Sequence, residues 1–146
     1  MIEQAKNVRE FMRVFGQELP EKPTIPAEEV QQLRYRLIDE EKSELFESMD
    51  NIQSLDAICD LLYVVLGAGA AYGFSPEKIT KGFAEVHRSN MSKLWTLAEV
   101  ESFNHPAAGY SVQHVGGGKY IVKNSEGKVI KSPSYSPAQL KEIVGE

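Results

Sequence analysis

The chain has 146 residues, enough for one hydrophobic core and too few for two domains of ordinary size. Hydrophobic residues make up 42% and charged residues 25%, a globular composition that excludes a disordered or collagen-like chain. The formal net charge of -5 argues against nucleic-acid binding, although an acidic protein can handle a nucleotide through a divalent cation.

The first two predicted helices follow from apolar residues at helical spacing. The first starts at Ile2, and Gly16 can close it. Residues 17–26 form a proline-containing connector, and Pro26 suits the first turn of the next helix. The second helix is expected over about residues 27–49.

Two further helices are predicted after a break at residues 50–51. The third runs over about residues 54–72 and stops at Gly73. Ser75 and Pro76 are a good cap and first-turn proline for a fourth helix, which reaches roughly residue 87.

The C-terminal part has the pattern of a short β-meander. Strands are expected over residues 110–115, 119–123 and 128–131, and a final short helix is expected from Ser136. The sequence therefore predicts a mainly α fold, a four-to-five-helix bundle with a small C-terminal β-meander. Residues 1–100 would form the helical domain, and residues 101–146 an appendage with a short terminal helix, within the same domain.

The location of the protein is predicted from simple exclusions. Cys59 is the one cysteine, so a disulfide within the chain is impossible, and a thiol in an apolar run is usually core packing. The N-terminus is charged where a signal peptide would be apolar, and the longest apolar run, residues 61–72, is too short to span a bilayer. These features predict a cytoplasmic protein with no membrane partner.

Three carboxylates share one face of the second helix. Advancing each residue by ~100° places Glu40, Glu41 and Glu44 on the same side as Leu33 and Leu37. A solvated charge run is the ordinary interpretation of such a cluster. It would turn both leucines toward water, so we expect the carboxylates on the core-facing stripe.

The third helix adds two more acids to this picture. Asp56 and Asp60 lie one turn apart on a helix that is apolar on nearly every side and should be buried. Buried carboxylates are paired or bind metal, and the available bases, which lie mostly off the acidic stripe, are Arg34, Arg36 and Lys42. The convergence favours a site for Mg²⁺, or Mn²⁺ as a substitute. A di-iron bundle would need Glu-x-x-His pairs, and none occurs.

A basic segment follows the predicted fourth helix. Arg88 and Lys93 have the charge to hold phosphate oxygens, and Asn90 can hydrogen-bond a base or sugar. A cationic cluster that complements the helix dipole would explain the segment taken alone. Beside an acidic metal site, phosphate binding is the favoured interpretation.

In this combination the sequence resembles the all-α nucleoside triphosphate pyrophosphohydrolases, which include MazG-like proteins, dimeric dUTPases and phosphoribosyl-ATP pyrophosphohydrolase. Their signature is Glu-Glu-x-x-Glu on one helix and acid-x-x-Asp on the next. Residues 40–44 match the first half and Asp60 matches the final aspartate, while residues 85–93 and 127–133 resemble segments of MazG-like members. Ala57 stands where many relatives have the other acid, and Asp56 is the candidate substitute.

The resemblance implies a MazG-like bundle that hydrolyses a nucleoside triphosphate, or its deoxy form, to monophosphate and pyrophosphate with Mg²⁺. The implied metal ligands are Glu40, Glu41, Glu44, Asp56 and Asp60, with Glu40 and Glu41 as catalytic residues. The implied substrate-binding residues are Arg88, Asn90, Lys93 and Lys131. The family also implies a homodimer or homotetramer.

Two alternatives stay open. One is hydrolysis of phosphoribosyl-ATP, which the long β-containing tail makes less attractive. The other is a catalytically idle regulator that binds metal or nucleotide on the same fold, against which the intact acids argue.

Overall fold

The computed structural model describes residues 1–103 and 109–145, and within them the chain forms six helices and a three-stranded antiparallel sheet. The helices are α1 (Ile2–Val14), α2 (Glu28–Glu47), α3 (Asn51–Ala71), α4 (Pro76–Met91), α5 (Leu97–Ser102) and α6 (Lys141–Val144), and the strands are β1 (Trp95–Thr96), β2 (Ser111–Gly116) and β3 (Lys119–Lys123). The mainly α fold class is confirmed, and α5 is a helix that the sequence pattern did not predict.

The chain divides into two compact units. The first comprises Met1–Lys81 with the residues from Ile143 onward, and the second comprises Gly82–Glu142. The division into residues 1–100 and 101–146 within one domain stays a prediction.

The core of the first unit forms where α1 packs against α3. Its buried residues are Ala5, Val8 and Met12 of α1 and Leu66, Ala70 and Ala71 of α3. The α1 residues recur at helical spacing and so form one face, as the sequence predicts. The alanines of α3 have small side chains, which lets the helices approach closely.

A glycine ends α1 and fixes the position of the next residue. Gly16 has a φ of 70°, and the Gln17 amide donates to the Met12 carbonyl at 2.8 Å. This is a Schellman arrangement, which satisfies carbonyls that the helix leaves unpaired. The predicted stop at Gly16 is therefore confirmed, and Gln17 is held directly beyond the helix.

Gly73 ends α3 in the same way, and the connector of residues 17–26 packs against it. Its φ is 75°, and a Cβ added there would lie 2.0 Å from the Lys22 carbonyl oxygen. The Thr24 amide donates to the Tyr72 carbonyl at 3.0 Å. Only glycine fits this position, because the connector backbone packs directly on the end of α3.

Helix starts differ from the sequence prediction in two places. Asp50 does not lie in a longer break but caps α3, since its carboxylate accepts from the Ile52 and Gln53 amides at 2.9 and 2.8 Å. The helix therefore begins three residues before Ser54. Similarly, α2 begins at Glu28, so Pro26 precedes the helix instead of occupying its first turn.

The burial predicted for α2 and α3 is wrong for the single chain. Leu33 is 40% exposed, Leu55 is 63% exposed, and Cys59 is exposed as well. Neighbouring helices cover only the faces of α3 that carry residues such as Ala57 and Leu66. The buried residue of α2 is Arg34, for which the sequence predicts only a role as an ion-pair partner.

Within the described ranges α3 alone is long and apolar enough to cross a membrane, judged by length and composition only. The apolar run of the sequence, residues 61–72, is too short to span a bilayer, but the helix that contains most of it already begins at Asn51. Core helices of soluble proteins meet the same criterion, and α3 carries Asp56 and Asp60.

The sheet of the second unit has the order β1-β3-β2. The third strand is Trp95–Thr96, which pairs with β3, whereas residues 128–131 make only an isolated bridge through Val129 to Lys123. Trp95 is buried, and its indole nitrogen donates to the Ile130 carbonyl at 2.9 Å. Anchoring this side chain brings residues 95–96 to the sheet edge.

The chain end also departs from the prediction. The expected cap at Ser136 starts no helix, and α6 begins only at Lys141. The segment before it is held by other contacts, since the Gln139 amide donates to the Glu85 carboxylate at 2.8 Å.

Candidate active site

Glu41 is the centre of the acidic site. It lies on α2 and is partly buried, and its Oε2 atom is buried without a hydrogen-bond partner in the described chain. Burial raises the pKa of Glu41, and the negative charges of other acids raise it further; these acids are Glu44, Asp60, Glu40 and Asp56. The structure thus brings the five predicted acids within electrostatic reach of one another.

Four of the five acids line two pockets of the first unit. Glu41 and Asp60 line a pocket of about 410 Å³, and Glu44 and Asp56 line one of about 230 Å³. Within residues 1–103 and 109–145, no three carboxylates are grouped closely enough to hold a metal ion as they stand. The side chains would have to rotate inward to share a cation.

Ion pairing does not neutralise these acids. Lys42, the cation beside them in sequence, pairs with Asp39 at 2.5 Å. The ion pairs found in the described ranges include none of the five acids, and Arg34 bonds to Gln17 instead. An unpartnered buried carboxylate oxygen among like charges fits a divalent cation, and carboxylate oxygen is the ligand that Mg²⁺ and Mn²⁺ prefer.

The two candidates for the remaining acid position are placed differently. Ala57 is buried at 4% exposure, while Asp56 is exposed and shares the smaller pocket with Glu44. Asp56 also contributes to the raised pKa of Glu41, although less than the other acids do. Its position is compatible with a role as a substitute ligand.

Arg34 is a pocket residue that the sequence interpretation missed. It lines the 410 Å³ pocket together with Glu41 and is only 8% exposed. Arg34 lies on the acidic face and not off it as predicted, because seven residues separate it from Glu41 and two helical turns return to the same face. That spacing was the available signal.

Arg88 belongs to the second unit and forms an ion pair with Glu85. It lies in the last turn of α4, which continues to Met91 and not to residue 87. Its Nε and Nη2 atoms both donate to the Glu85 carboxylate at 2.8 Å, and Nη2 also donates to the Pro137 carbonyl at 3.1 Å. This bidentate pair raises the pKa of Arg88 and lowers that of Glu85 to about 2.

The other predicted substrate-binding residues gather around Tyr135, which the sequence analysis missed. Lys131 lies over its ring, 4.2 Å from the centroid, and the Ser89 hydroxyl donates to Tyr135 Oη at 3.4 Å. The pKa of Tyr135 is lowered by the Ser89 bond and then by the charges of Lys131 and Lys93. No sequence signal marked Tyr135, because it lies in an irregular segment.

Asn90 holds one of these cations in place. Its side-chain oxygen accepts from the Lys93 ammonium at 2.8 Å. Asn90, Lys93 and Lys131 therefore form one basic cluster of the second unit, whose lysines, one partly exposed and one exposed, suit an anionic ligand.

Comparison with known proteins agrees with the helical fold and the acidic site. The family model for phosphoribosyl-ATP pyrophosphohydrolase matches residues 8–90, more than half of the chain. The match includes the acids of α2 and α3 and extends to Asn90. No curated protein matches the chain.

The matched family hydrolyses a phosphoric anhydride with release of pyrophosphate. Its helical fold agrees with the architecture of α1 to α4. The chain belongs to the phosphoribosyl-ATP pyrophosphohydrolase family, within the MazG-like all-α nucleoside triphosphate pyrophosphohydrolase superfamily.

Proposed function

We propose that the protein hydrolyses a nucleoside triphosphate, or its deoxy form, to the monophosphate and pyrophosphate in a Mg²⁺-dependent reaction. One observation carries the proposal: Glu41 has a buried, unpartnered carboxylate oxygen amid four other acids. Acidic side chains alone would repel a triphosphate, so a cation has to separate the two. Family membership supports the reaction class.

The residues that would hold the cation are Glu41, Glu44 and Asp60, with Asp56 in the place of the acid missing at Ala57. When bound, Mg²⁺ would neutralise phosphate charge and lower the pKa of a coordinated water. Glu41 and Asp60 line the same pocket, which supports their acting together.

Hydrolysis requires an acceptor for the proton of the attacking water. The water oxygen bonds to the α-phosphorus, and the bond from that phosphorus to the bridging oxygen breaks, so that pyrophosphate leaves. Glu40 is exposed on α2, beside Glu41, and its carboxylate can accept the proton. Glu40 therefore acts either as this base or as an additional ligand.

The basic cluster would bind phosphate oxygens of the substrate or of the departing pyrophosphate. Lys93 and Lys131 carry the required charge, and Asn90 orients Lys93 through their hydrogen bond. Arg88 contributes less than a free guanidinium would, because Glu85 already balances its charge. Its main effect is to stabilise the second unit around residues 136–139.

Phosphoribosyl-ATP is the second candidate substrate. The description of the matching family model favours it at least as well as an ordinary nucleoside triphosphate. The chemistry is the same in both cases, since pyrophosphate leaves from a triphosphate chain. The carboxylate site does not distinguish them, so the assay has to include both.

A substrate panel with product identification tests the proposal. The eight common ribo- and deoxyribonucleoside triphosphates, dUTP and phosphoribosyl-ATP are incubated with Mg²⁺ or with EDTA, and products are separated by ion-exchange chromatography. We expect monophosphate plus pyrophosphate, with Mg²⁺ only. Release of orthophosphate and a diphosphate, or no turnover of any member, would contradict the proposal.

A homodimer or homotetramer in the cytoplasm completes the proposal. The exposed apolar residues of the α2–α3 hairpin support association, with Phe46, Met49 and Ile52 exposed by 91%, 93% and 81%. Large apolar side chains that are this exposed in one chain commonly mark an interface.

A further inference from the structure

Arg34 carries a buried positive charge that the chain itself leaves incompletely bonded. Its Nη2 atom donates to Gln17 Oε1 at 2.5 Å, while Nε is buried with no hydrogen-bond partner among the described residues. Of the carboxylates in the described ranges, none forms an ion pair with it. Burying a charge in this way costs free energy unless another group completes its bonding.

The guanidinium borders the 410 Å³ pocket that also contains Glu41 and Asp60. Aromatic side chains form part of the wall, with Phe11 and Tyr63 in edge-to-face contact at 5.7 Å between ring centroids. Apolar walls with a few fixed polar groups are typical of small-molecule sites of this size. The pocket thus has a carboxylate end and an arginine end.

The Arg34–Gln17 hydrogen bond determines which hydrogen-bonding groups a ligand meets at the arginine end of the pocket. A guanidinium can only donate hydrogen bonds. The Gln17 side-chain oxygen already accepts a hydrogen bond from Arg34, which orients this side chain, and its amide nitrogen can only donate. A ligand group placed here finds donors and should therefore be a hydrogen-bond acceptor.

Resting on the proposed function, we propose that this pocket binds the nucleobase and that Arg34 and Gln17 select for a carbonyl group on it. The preferred bases are 4-oxopyrimidines and 6-oxopurines, whereas cytosine and adenine present an amino group at the corresponding position. An amino group would bring donor against donor and leave buried polar groups unpaired. The phosphates then extend toward Glu41 and Asp60.

Gly67 provides the space beside the guanidinium. A Cβ added there would lie 3.6 Å from Arg34 Nη1, 3.7 Å from Val8 Cγ1 and 3.9 Å from Met12 Sδ, all ordinary contact distances. Gly67→Ala should therefore fold, and alanine is a better helix former than glycine. Its methyl group would occupy the pocket wall where the base is proposed to lie.

Direct binding of two matched analogues tests the proposal. Calorimetry with Mg²⁺ compares the α,β-imido forms of dUTP and dCTP, which are not hydrolysed between the α- and β-phosphates and differ in the oxo or amino group of the base. We expect the dUTP analogue to bind at least ~10-fold more tightly, about 1.4 kcal/mol. In Arg34→Met the ratio should fall to about 1, while the exposed control Arg36→Met keeps it.

Inorganic tripolyphosphate, which has no base, separates base recognition from phosphate binding. Neither Arg34→Met nor Gly67→Ala should change its affinity, whereas Gly67→Ala should weaken both nucleotide analogues. Gly67→Ala also keeps the proposal testable if Arg34→Met fails to fold by circular dichroism.

Three results would overturn the proposal: equal affinities of the wild type for both analogues, a preserved ratio in folded Arg34→Met, or weaker tripolyphosphate binding in that variant. Failure of the proposed function would look different, as absence of pyrophosphate release from every triphosphate tested.

Discussion

Lys42 is paired with Asp39 at 2.5 Å, although it follows Glu41 directly in the sequence. The pair lies on the exposed side of α2, and the hydrogen bond to Asp39 raises the pKa of Lys42. The cation closest to the acidic cluster in sequence therefore pairs with Asp39 and not with an acid of the cluster. The charge of Glu41 and its neighbours is left for a ligand to balance.

Glu41→Gln removes the carboxylate at the centre of this cluster. We expect a higher melting temperature without metal, because repulsion with Glu44 and Asp60 disappears, and loss of the stabilisation by Mg²⁺. Pyrophosphate release should fall at least ~100-fold. Differential scanning calorimetry with Mg²⁺ or EDTA measures the first effects. Asp39→Asn is the matched control, and a Mg²⁺ response that persists in Glu41→Gln would exclude this residue as a ligand.

Asp60→Asn tests the contribution of α3. The substitution keeps side-chain size and removes a charge, so the chemical step should slow at least ~100-fold, about 2.7 kcal/mol of barrier. Asp60 is exposed in the chain, so folding should survive. Single-turnover kinetics on protein checked by circular dichroism measures the step. Near wild-type turnover would show that Asp60 of α3 does not contribute to the active site.

Lys93→Ala should mainly weaken substrate binding, because the phosphate contact that we propose for Lys93 would be made both before and during the reaction. Lys131→Ala should act in the same direction, since both cations lie near Tyr135. Steady-state kinetics should show a raised KM with a smaller change in kcat. Lys128→Ala, an exposed change in the same segment, serves as control, and equal effects of all three would show a general charge effect instead.

Glu85 should make the stability of the second unit sensitive to acid. Hydrogen bonds from Arg88 and the Gln139 amide lower its folded-state pKa to about 2, below its ordinary value of 4.5. The stabilisation is complete above pH ~4.5 and is lost as the pH falls toward ~2. Melting temperatures of the wild type and Glu85→Gln should therefore differ by a constant amount from pH 5 to 7 and converge at lower pH. A constant difference down to pH 2.5 would contradict this linkage.

Phe46→Lys tests self-association. It replaces a large apolar side chain that is 91% exposed in one chain with a charged one. Sedimentation equilibrium should find a dimer or tetramer for the wild type and a weaker association constant for the variant. A wild-type monomer with full activity at micromolar concentration would refute the oligomer.

The sequence predicted helix stops better than helix starts and exposure. Gly16 and Gly73 marked helix ends because a positive φ strongly favours glycine. The sequence predicts a break at Asp50, which in fact caps α3, because aspartate is common in both turns and helix caps. The strand at Trp95 could not be foreseen, because a two-residue strand has no periodicity and depends on tertiary packing.

Within the site, helical spacing predicts the five acids as a group, and the other four acids contribute to the raised pKa of Glu41. The exposure of these acids could not be predicted in the same way, because the burial of α2 and α3 depends on which helices cover them. The sequence indicates Arg34 only as a potential ion-pair partner, because its bond to Gln17 joins positions in different parts of the chain that no spacing rule connects.

The close backbone contact between Gly73 and Lys22 bears on how much of a ligand's binding free energy is spent on ordering the pocket wall. Pro20, Pro23 and Pro26 restrict the connector even before folding, so fixing it costs less conformational entropy than an ordinary loop would. Docking on the end of α3 then holds the chain from residue 17 onward. A ligand entering beside Gln17 meets a preorganised wall, and little of its binding free energy goes into ordering a loop.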